Sequence, residues 1–461
     1  MKVPDIMNAA MSNTPTPICE PERTEMRASL VGRIINLCGV TARKSSISLI
    51  DQVVVSGVNF ITTVLLGRLC GPEELAKYSL GFTLIIIIFS VQETLITTPY
   101  TIYAHRLEEA ALSEYRGAVL VQWGLLSALA MLTLAVWATV TLSSLGLPGL
   151  APVLYVLSLF IPFYLLRNFA RLLAFAHLDS NAALRIDLCA ATMQLGAIII
   201  LSVKGLLSVM TIYLAIGAAN AVVAVTWLAL FRNEFTIRRQ RILPAIRHHV
   251  SFGSWSLASR IVSHLNSNIL LLWLMVFVLG DTATGILAAC MTIVGISNPF
   301  IIGIAQLLGP RIAQAFAESG LGEVLKVARK ATIVIGLALG GFCCGALLFG
   351  ENALRFIYGG LYGGHSSIIT VLSISVLAST ISLPAACGLL AFERPDVNLK
   401  SSVVGLLLTL AVASALVRPM GLLGVVYGLL CGEIGSSSVR WAYFFFLSQK
   451  IPRRRSNPEK G

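Results

Sequence analysis

Long apolar runs separated by short polar segments occupy residues 46–447 of the chain. Each run has roughly 20 residues, which is the length that an α-helix needs to cross a hydrocarbon core of about 30 Å. The pattern predicts an all-α polytopic membrane protein of about twelve transmembrane helices. The predicted spans are 46–68, 78–103, 117–142, 152–175, 183–203, 208–231, 251–279, 283–309, 325–349, 366–392, 401–417 and 420–447.

Composition and charge agree with this class. Of the 461 residues, 12% are charged, about half of the 25% that is usual in soluble domains. The net charge of +12 could indicate a nucleic-acid partner, but 27 of the 34 Lys and Arg residues fall on the side that holds both termini and only 5 on the other. Positive residues mark the cytoplasmic side of a membrane protein. We therefore expect both termini to be cytoplasmic, and no nucleic acid as a partner.

The polar segments outside the spans define the predicted organisation. Residues 1–45 are read as a cytoplasmic tail, disordered over 1–28, with 29–45 a candidate basic interfacial helix. A first six-helix bundle over 46–231 is joined by a basic cytoplasmic linker, 232–250, to a second bundle over 251–447. Residues 448–461 form a basic cytoplasmic tail.

Three matches in consistent order predict that the halves are repeats. The motif Leu-Leu-Ala-Phe at 172–175, followed by Asp179 and Asn181, recurs at 389–392 with Asp396 and Asn398. Gly71 and Gly280 end the first and seventh spans, and Pro99 and Pro310 close the second and eighth. Units with an even number of spans have the same orientation. The halves are therefore expected to be parallel repeats about an axis along the membrane normal.

Polar residues within the first and seventh spans mark a candidate substrate cavity, because ionisable groups inside a membrane usually face a bundle interior or a wet cavity. Spacing by four places them on one face of each helix. If the second half repeats the first at an offset of 209 residues, Arg260 occupies the position that corresponds to Asp51. Two interpretations stay open: these faces line a central cavity, or Asp51 and Arg260 form a structural ion pair. The candidate cavity residues are Asp51, Gln52, Asn59, Arg260, His264 and Asn268.

Two acids within spans are candidates for ion or proton coupling. Glu93 lies in the second span with no cation near it in the sequence, and Glu433 lies in the twelfth, seven residues before Arg440. Either carboxyl could instead be neutral and hydrogen-bonded to a neighbour.

No pattern in the sequence indicates an enzyme, a cofactor or a metal. The chain has no G-x-x-x-x-G-K-[ST], G-x-S-x-G or H-E-x-x-H motif. No C-x-x-C occurs among the nine cysteines, and His248 and His249 have no carboxylate or Cys at ligand spacing. We expect a transporter, not an enzyme, with neither metal nor cofactor.

Residues 51–80, DQVVVSGVNFITTVLLGRLCGPEELAKYSL, resemble the opening of the polysaccharide (O-antigen type) flippases, in the exporter superfamily that includes the multidrug and toxic-compound extruders (MATE). Leu75-Ala76 stands where Phe-Gly is usual. The resemblance implies a V-shaped, MATE-like pair of bundles in a bacterial cytoplasmic (inner) membrane. It also implies a substrate, an undecaprenyl-pyrophosphate-linked oligosaccharide that moves from the cytoplasmic to the periplasmic leaflet for surface polysaccharide or lipopolysaccharide biosynthesis.

The implied partners are this lipid-linked oligosaccharide or another amphipathic substrate, the bilayer and glycan-assembly proteins. Two alternatives stay open. One is an ion-coupled exporter of drugs or other small molecules from the same superfamily, and the other is a membrane scaffold that transports nothing.

Overall fold

The computed structural model describes residues 47 and 50–450, apart from 105–106, 144–148, 178 and 266–267. The predicted N-terminal tail, and residues 451–461 of the predicted C-terminal tail, lie outside the described residues.

The first half consists of six helices, each built on one of the predicted apolar runs. They are α1 Ile50–Cys70, α2 Pro72–Tyr103, α3 Glu109–Ser143, α4 Ala151–Ala176, α5 Ser180–Val203 and α6 Val209–Phe231.

The second half follows a short 3-10 turn, Arg232–Glu234. Its helices are α7 Arg239–Leu265, α8 Asn268–Val294, α9 Asn298–Ser319, α10 Leu321–Tyr358, α11 Ser366–Thr380, α12 Leu383–Ala391, α13 Pro395–Met420 and α14 Leu422–Lys450.

The predicted class, an all-α polytopic membrane protein, is confirmed. Among the described residues, 11 helical segments are long and apolar enough to span a membrane. One of them, Ile269–Ser319, has 51 residues, about 76 Å of helix and more than twice the membrane core. Its path breaks at Gly280, so it holds the end of the predicted seventh span together with the eighth. The predicted seventh span, 251–279, falls in α7 and in the part of α8 before Gly280.

Gly71 and Gly280 have the same unusual backbone conformation. Their φ and ψ angles are 87° and 178° in Gly71 and 83° and −176° in Gly280. A positive φ is strained for any residue with a Cβ atom, so both turns favour glycine. Gly71 and Gly280 are 209 residues apart, so their shared conformation agrees with the predicted repeat of the two halves.

The repeated Asp residues begin helices in different ways. Asp179 is the N-cap of α5 and accepts a hydrogen bond from the Ala182 amide at 3.0 Å. Asp396 lies in the first turn of α13 and pairs with Arg394 at 2.9 Å and Lys400 at 3.3 Å. Asp179 thus caps its helix, whereas Asp396 is the second residue of its own, after the N-cap Arg394.

Helix α7 begins within the predicted linker and packs against the first half. His249 contacts the Tyr115 hydroxyl at 2.7 Å and Gln122 Oε1 at 2.8 Å. Gly117 of α3 lies so close to the Thr236 carbonyl that a Cβ atom would be 2.2 Å from its oxygen. Much of the linker is thus a helix docked on the first half.

The buried apolar residues show how the halves meet. One core contains residues of both halves, such as Leu66, Tyr78, Leu271 and Tyr358. Two further cores each belong to one half. One lies around Phe169 in the first half. The other lies around Phe444 in the second half and includes Leu308 and Val397. We call the side with the two separate cores and residues 232–250 the linker side, and the opposite side the far side. The halves share a core toward the far side and have separate cores on the linker side.

Candidate functional site

A cavity of about 650 Å³ lies between the two halves. Its polar lining consists of hydroxyl and amide groups, and none of the described residues that line it is charged. The polar lining residues are Ser56, Asn59, Thr63, Tyr78, Ser79, Thr83, Thr292 and Asn298, beside apolar residues such as Phe60, Phe82 and Met291. Thr63, Thr83 and Thr292 donate to backbone carbonyls of their own helices. The other hydroxyl and amide groups can bind an uncharged polar ligand.

Charged groups of both halves meet on the linker side of this cavity. Arg260 Nη1 of α7 lies 3.2 Å from Glu93 Oε2 of α2. Ser90 Oγ donates to the Ile86 carbonyl at 2.8 Å, so it can accept a hydrogen bond from His264 Nε2 at 2.7 Å. Seven residues of helix separate Glu93 from Ile86 in the cavity wall, a rise of about 10 Å. The pair therefore lies about 10 Å from Ile86, on the linker side of the cavity.

Glu93 begins a π-helical turn, Glu93–Thr97, inside α2. Such a turn inserts an extra residue into the helix and changes the direction of the side chains, and it is frequent at functional sites. The sequence has no cation close to Glu93, and its partner Arg260 is distant in sequence and belongs to the other half.

The Glu93–Arg260 pair is partly open to its surroundings. The Arg260 side chain is 41% exposed and the Glu93 side chain 30%. A pair with this exposure is weak in net free energy, and either partner can exchange it for another ion. Arg260 can thus offer a guanidinium group to an anionic ligand.

Asp51 lies elsewhere, inside the first half. Its carboxylate is buried and Oδ2 lies 2.6 Å from Arg171 Nη2. The predicted pairing of Asp51 with Arg260 is therefore wrong, and Asp51 does not line the central cavity. The face of α1 with Asp51 and Val55 is turned into its own bundle, whereas Val53 and Ser56 face the cavity.

Asp51 is part of a cluster of four buried charges. Asp187 of α5 accepts from Arg167 and, at 2.5 Å, from Arg171 Nε. Arg171 thereby joins both acids. The residues that the sequence marks as candidates include none of Arg167, Arg171 and Asp187. An Asp inside an apolar span, with Arg167 and Arg171 four residues apart on one face of α4, was the available signal.

A second, smaller cavity of about 50 Å³ adjoins this cluster in the first half. Asn59 lines both cavities, since it lies at the border between the two faces of α1. Its predicted place in the central cavity therefore agrees with the geometry.

The other candidate residues have varied surroundings. Gln52 Nε2 is 3.4 Å from Ser56 Oγ and is not among the residues that line the central cavity. The side chain of Asn268 lies outside the described residues. Arg440 donates to three hydroxyls, those of Ser382, Ser401 and Ser402. Glu433, in the same helix, interacts with Ser379.

Within the part of the chain that the structure describes, no three His, Cys, Asp or Glu residues are arranged to hold a metal ion.

Comparison with known proteins places this architecture. A model of the family described as "Polysaccharide biosynthesis protein" matches residues 41–316, more than half of the chain. The chain belongs to this family. Among curated proteins it resembles the capsular polysaccharide biosynthesis protein CapF of Staphylococcus aureus, with 24% identity over 169 residues. The match covers 36% of this chain and 42% of CapF, so it spans less than half of that relative.

Solved structures show which fold this member of the polysaccharide biosynthesis family has. The inward-facing conformation of a multidrug resistance MATE transporter of the MOP superfamily superposes with a TM-score of 0.74, at 14% identity, over 88% of this chain and 96% of that one. The outward-facing conformation of a MATE transporter gives a TM-score of 0.62, at 15% identity, over 89% and 96%. The family member therefore has the MATE fold, and its backbone resembles the inward-facing form more closely.

Proposed function

We propose that the chain flips a lipid-linked oligosaccharide, carried on undecaprenyl diphosphate, from the cytoplasmic to the periplasmic leaflet during surface polysaccharide biosynthesis. The linker side would be cytoplasmic, with both termini there, in the inner membrane of a bacterium. Membership of the polysaccharide biosynthesis family supports this class of substrate.

One observation carries the proposal: a cavity between the halves has uncharged hydroxyl and amide groups in its wall, and the half-exposed Arg260 lies on its linker side. A lipid-linked sugar diphosphate has many hydroxyls and two negative charges. Side chains such as Ser79 and Asn298 can bind the sugar, and a cation is needed for the diphosphate. The uncharged polar groups of the cavity would therefore meet the sugar, and the cation on its linker side would meet the diphosphate.

Arg260 is the group that we expect to hold the diphosphate. A guanidinium can bind two phosphate oxygens through parallel hydrogen bonds, which an ammonium group cannot. The diphosphate has more negative charge than the single carboxylate of Glu93, so the substrate would displace Glu93 from Arg260. Neither His264 nor Ser90 carries a negative charge that would oppose this exchange.

The separation of the cores supports entry from the linker side. The halves share a buried core toward the far side and have separate cores on the linker side. A headgroup entering from the cytoplasmic leaflet would reach Arg260 before the hydroxyl-lined part of the cavity. Glycan-assembly proteins on that side are the partners expected to supply the substrate.

The experiment is complementation of surface glycan in a strain that lacks the native gene, with the protein level followed by immunoblot. Arg260→Lys should remain folded and impair export, and Arg260→Ala should abolish export. Arg329→Ala is the matched control, since Arg329 is an exposed cation in α10 outside the cavity. Full export by Arg260→Ala would contradict the proposal.

A second candidate function is ion-coupled export of a small molecule. The half-exposed acid Glu93, in a π-helical turn beside the cavity, favours this candidate, because an acid can bind a proton or a cationic drug. Glu93→Gln would then abolish transport while Arg260→Lys would not, and expression would raise drug resistance without changing surface glycan. A scaffold that transports nothing would tolerate both substitutions.

A further inference from the structure

A groove of about 460 Å³ lies between α9 and α10 on the linker side of the second half. Most of its wall is apolar, and the charged side chains lie toward the turn that joins the two helices. The lining residues are Ile304, Leu307, Leu308, Arg311, Glu323, Val327, Lys330, Ala331 and Val334.

The charge available in this groove is positive. Arg311 and Lys330 are both exposed, and neither has a hydrogen bond or ion pair with another described residue. Glu323, the acid of the groove, is held by Lys326 at 3.0 Å. Two cations from different helices thus face the same space, with the nearby acid already neutralised.

The cations and the apolar wall lie at different depths. Arg311 precedes the end of α9 by eight residues, and Lys330 follows the start of α10 by nine, a distance of roughly 12–14 Å along each helix. Leu307 and Val334, one helical turn deeper, are 71% and 54% exposed. The groove therefore offers positive charge near the membrane surface and apolar surface further in.

The corresponding crevice in the first half is covered. Helix α7 packs along α2 and α3 there, and a Cβ atom on Gly253 would lie 2.8 Å from the Leu95 side chain. Tyr100, which follows Pro99 as Arg311 follows Pro310, is fully buried. Among the described residues no element covers the groove of the second half in this way.

We propose that this groove binds an anionic phospholipid of the linker-side leaflet. Arg311 and Lys330 hold the phosphate and its headgroup, and the apolar wall beside Leu307 and Val334 holds the acyl chains. Basic pockets between transmembrane helices on the cytoplasmic side are the type of site that recognises anionic headgroups. The proposal does not depend on what the central cavity transports.

The test titrates the full-length protein in neutral detergent with phosphatidylglycerol and with phosphatidylcholine, and counts bound lipid by native mass spectrometry. A basic side chain near an anionic lipid contributes about fivefold in affinity. The double variant Arg311→Ala with Lys330→Ala should therefore bind phosphatidylglycerol about thirtyfold more weakly. Phosphatidylcholine should bind weakly to the unchanged protein and to the variant alike.

Arg329→Ala is the matched control, because it removes one exposed cation from the same helix outside the groove. It should leave the affinity for phosphatidylglycerol unchanged. Ala331→Trp fills the groove without changing its charge and should displace the lipid.

Four results would overturn the proposal. Equal losses in Arg329→Ala and the double variant would mean general surface charge, and equal binding of both phospholipids would mean no headgroup recognition. A dimer whose interface protects the groove would assign it to a second copy of the chain. Tighter binding of undecaprenyl diphosphate than of phosphatidylglycerol at these residues would assign the groove to the carrier lipid of the proposed substrate.

Discussion

The first half and the boundary between the halves each contain an acid paired with an arginine, in opposite surroundings. In the first half, Asp187 and Asp51 are at most 1% exposed as side chains, and Arg171 at 17% joins both. At the boundary, Arg260 is 41% and Glu93 30% exposed, with one contact of 3.2 Å.

The difference separates a group that maintains the fold from one that can bind a ligand. Removing one partner of a buried ion pair leaves the other charged and desolvated, at a cost of about 3–5 kcal/mol. A partly exposed pair contributes on the order of 0–1 kcal/mol. The cluster around Asp187 is therefore expected to be structural, and Arg260 is free to exchange its partner.

Asp187→Asn should give the largest effect on stability. It leaves Arg167 and half of the Arg171 guanidinium without a compensating charge inside the first half, so we expect a loss of about 3–5 kcal/mol. The amount of folded protein after detergent extraction, and its thermal unfolding, measure this. Glu93→Gln is the matched control, an acid-to-amide change at a pair that is partly exposed. Equal stability of the two variants would remove the distinction between the regions.

Gly285→Ala tests whether a close contact on the far side sets the distance between the two halves, on which the Glu93–Arg260 contact depends. An added Cβ atom would lie 1.8 Å from the Pro72 carbonyl oxygen, so the halves must shift, at about 1–3 kcal/mol. Distances between spin labels on the far side should increase. Gly309→Ala adds the same methyl group where nothing lies within 4 Å. Unchanged distances in Gly285→Ala would show that the far-side contact does not set the separation.

A fall in pH should weaken a third contact between the halves, that of His249 with the first half. The effect should be smaller than that of either substitution. Burial, together with the neighbouring His248, lowers the pKa of His249 to about 4. Neutral His249 donates to Gln122 and accepts from Tyr115. Released from the first half, His249 would take up a proton near pH 6.5. The docked helix is therefore favoured above that pH and loses stability as the pH falls toward about 4.

Spin-label distances between α7 and α3, recorded between pH 7.5 and 4.5, check this expectation. His249→Gln provides the control, since an amide does not titrate and its distances should be insensitive to pH. A pH response that persists in His249→Gln would assign the effect to another group.

The sequence predicted where most helices lie. Apolar length alone predicted segments such as Ser180–Val203 and Ser366–Ala391 to within about three residues, because every span must match one membrane thickness. Other bounds were missed. Helix α10, Leu321–Tyr358, extends nine residues beyond the predicted 325–349, and α13, Pro395–Met420, begins six residues before the predicted 401–417. Apolar length says nothing about how far a helix continues past the membrane core.

The partners of the charged residues could not be predicted in the same way. Spacing by four correctly placed Asp51 and Asn59 on one side of α1, but not which way that side points. That direction depends on the rotation of α1 against α4, and Arg171 lies 120 residues from Asp51. The partner of Glu93 was likewise hidden, because only packing between the halves brings Arg260 to it. Arg260 itself was predictable as a cation deep in a span.

The double variant Glu93→Gln with Arg260→Gln tests most directly the claim that Arg260 binds substrate. It removes both charges of the boundary pair and leaves no stranded acid, so the protein should remain folded. Surface glycan is measured in cells that lack the native gene, at a protein level matched by immunoblot. We expect no export from the double variant at normal abundance, and near-normal export from Glu93→Gln alone. Export restored in the double variant, after its loss in Arg260→Ala, would show that the pair is a structural link and contradict the account.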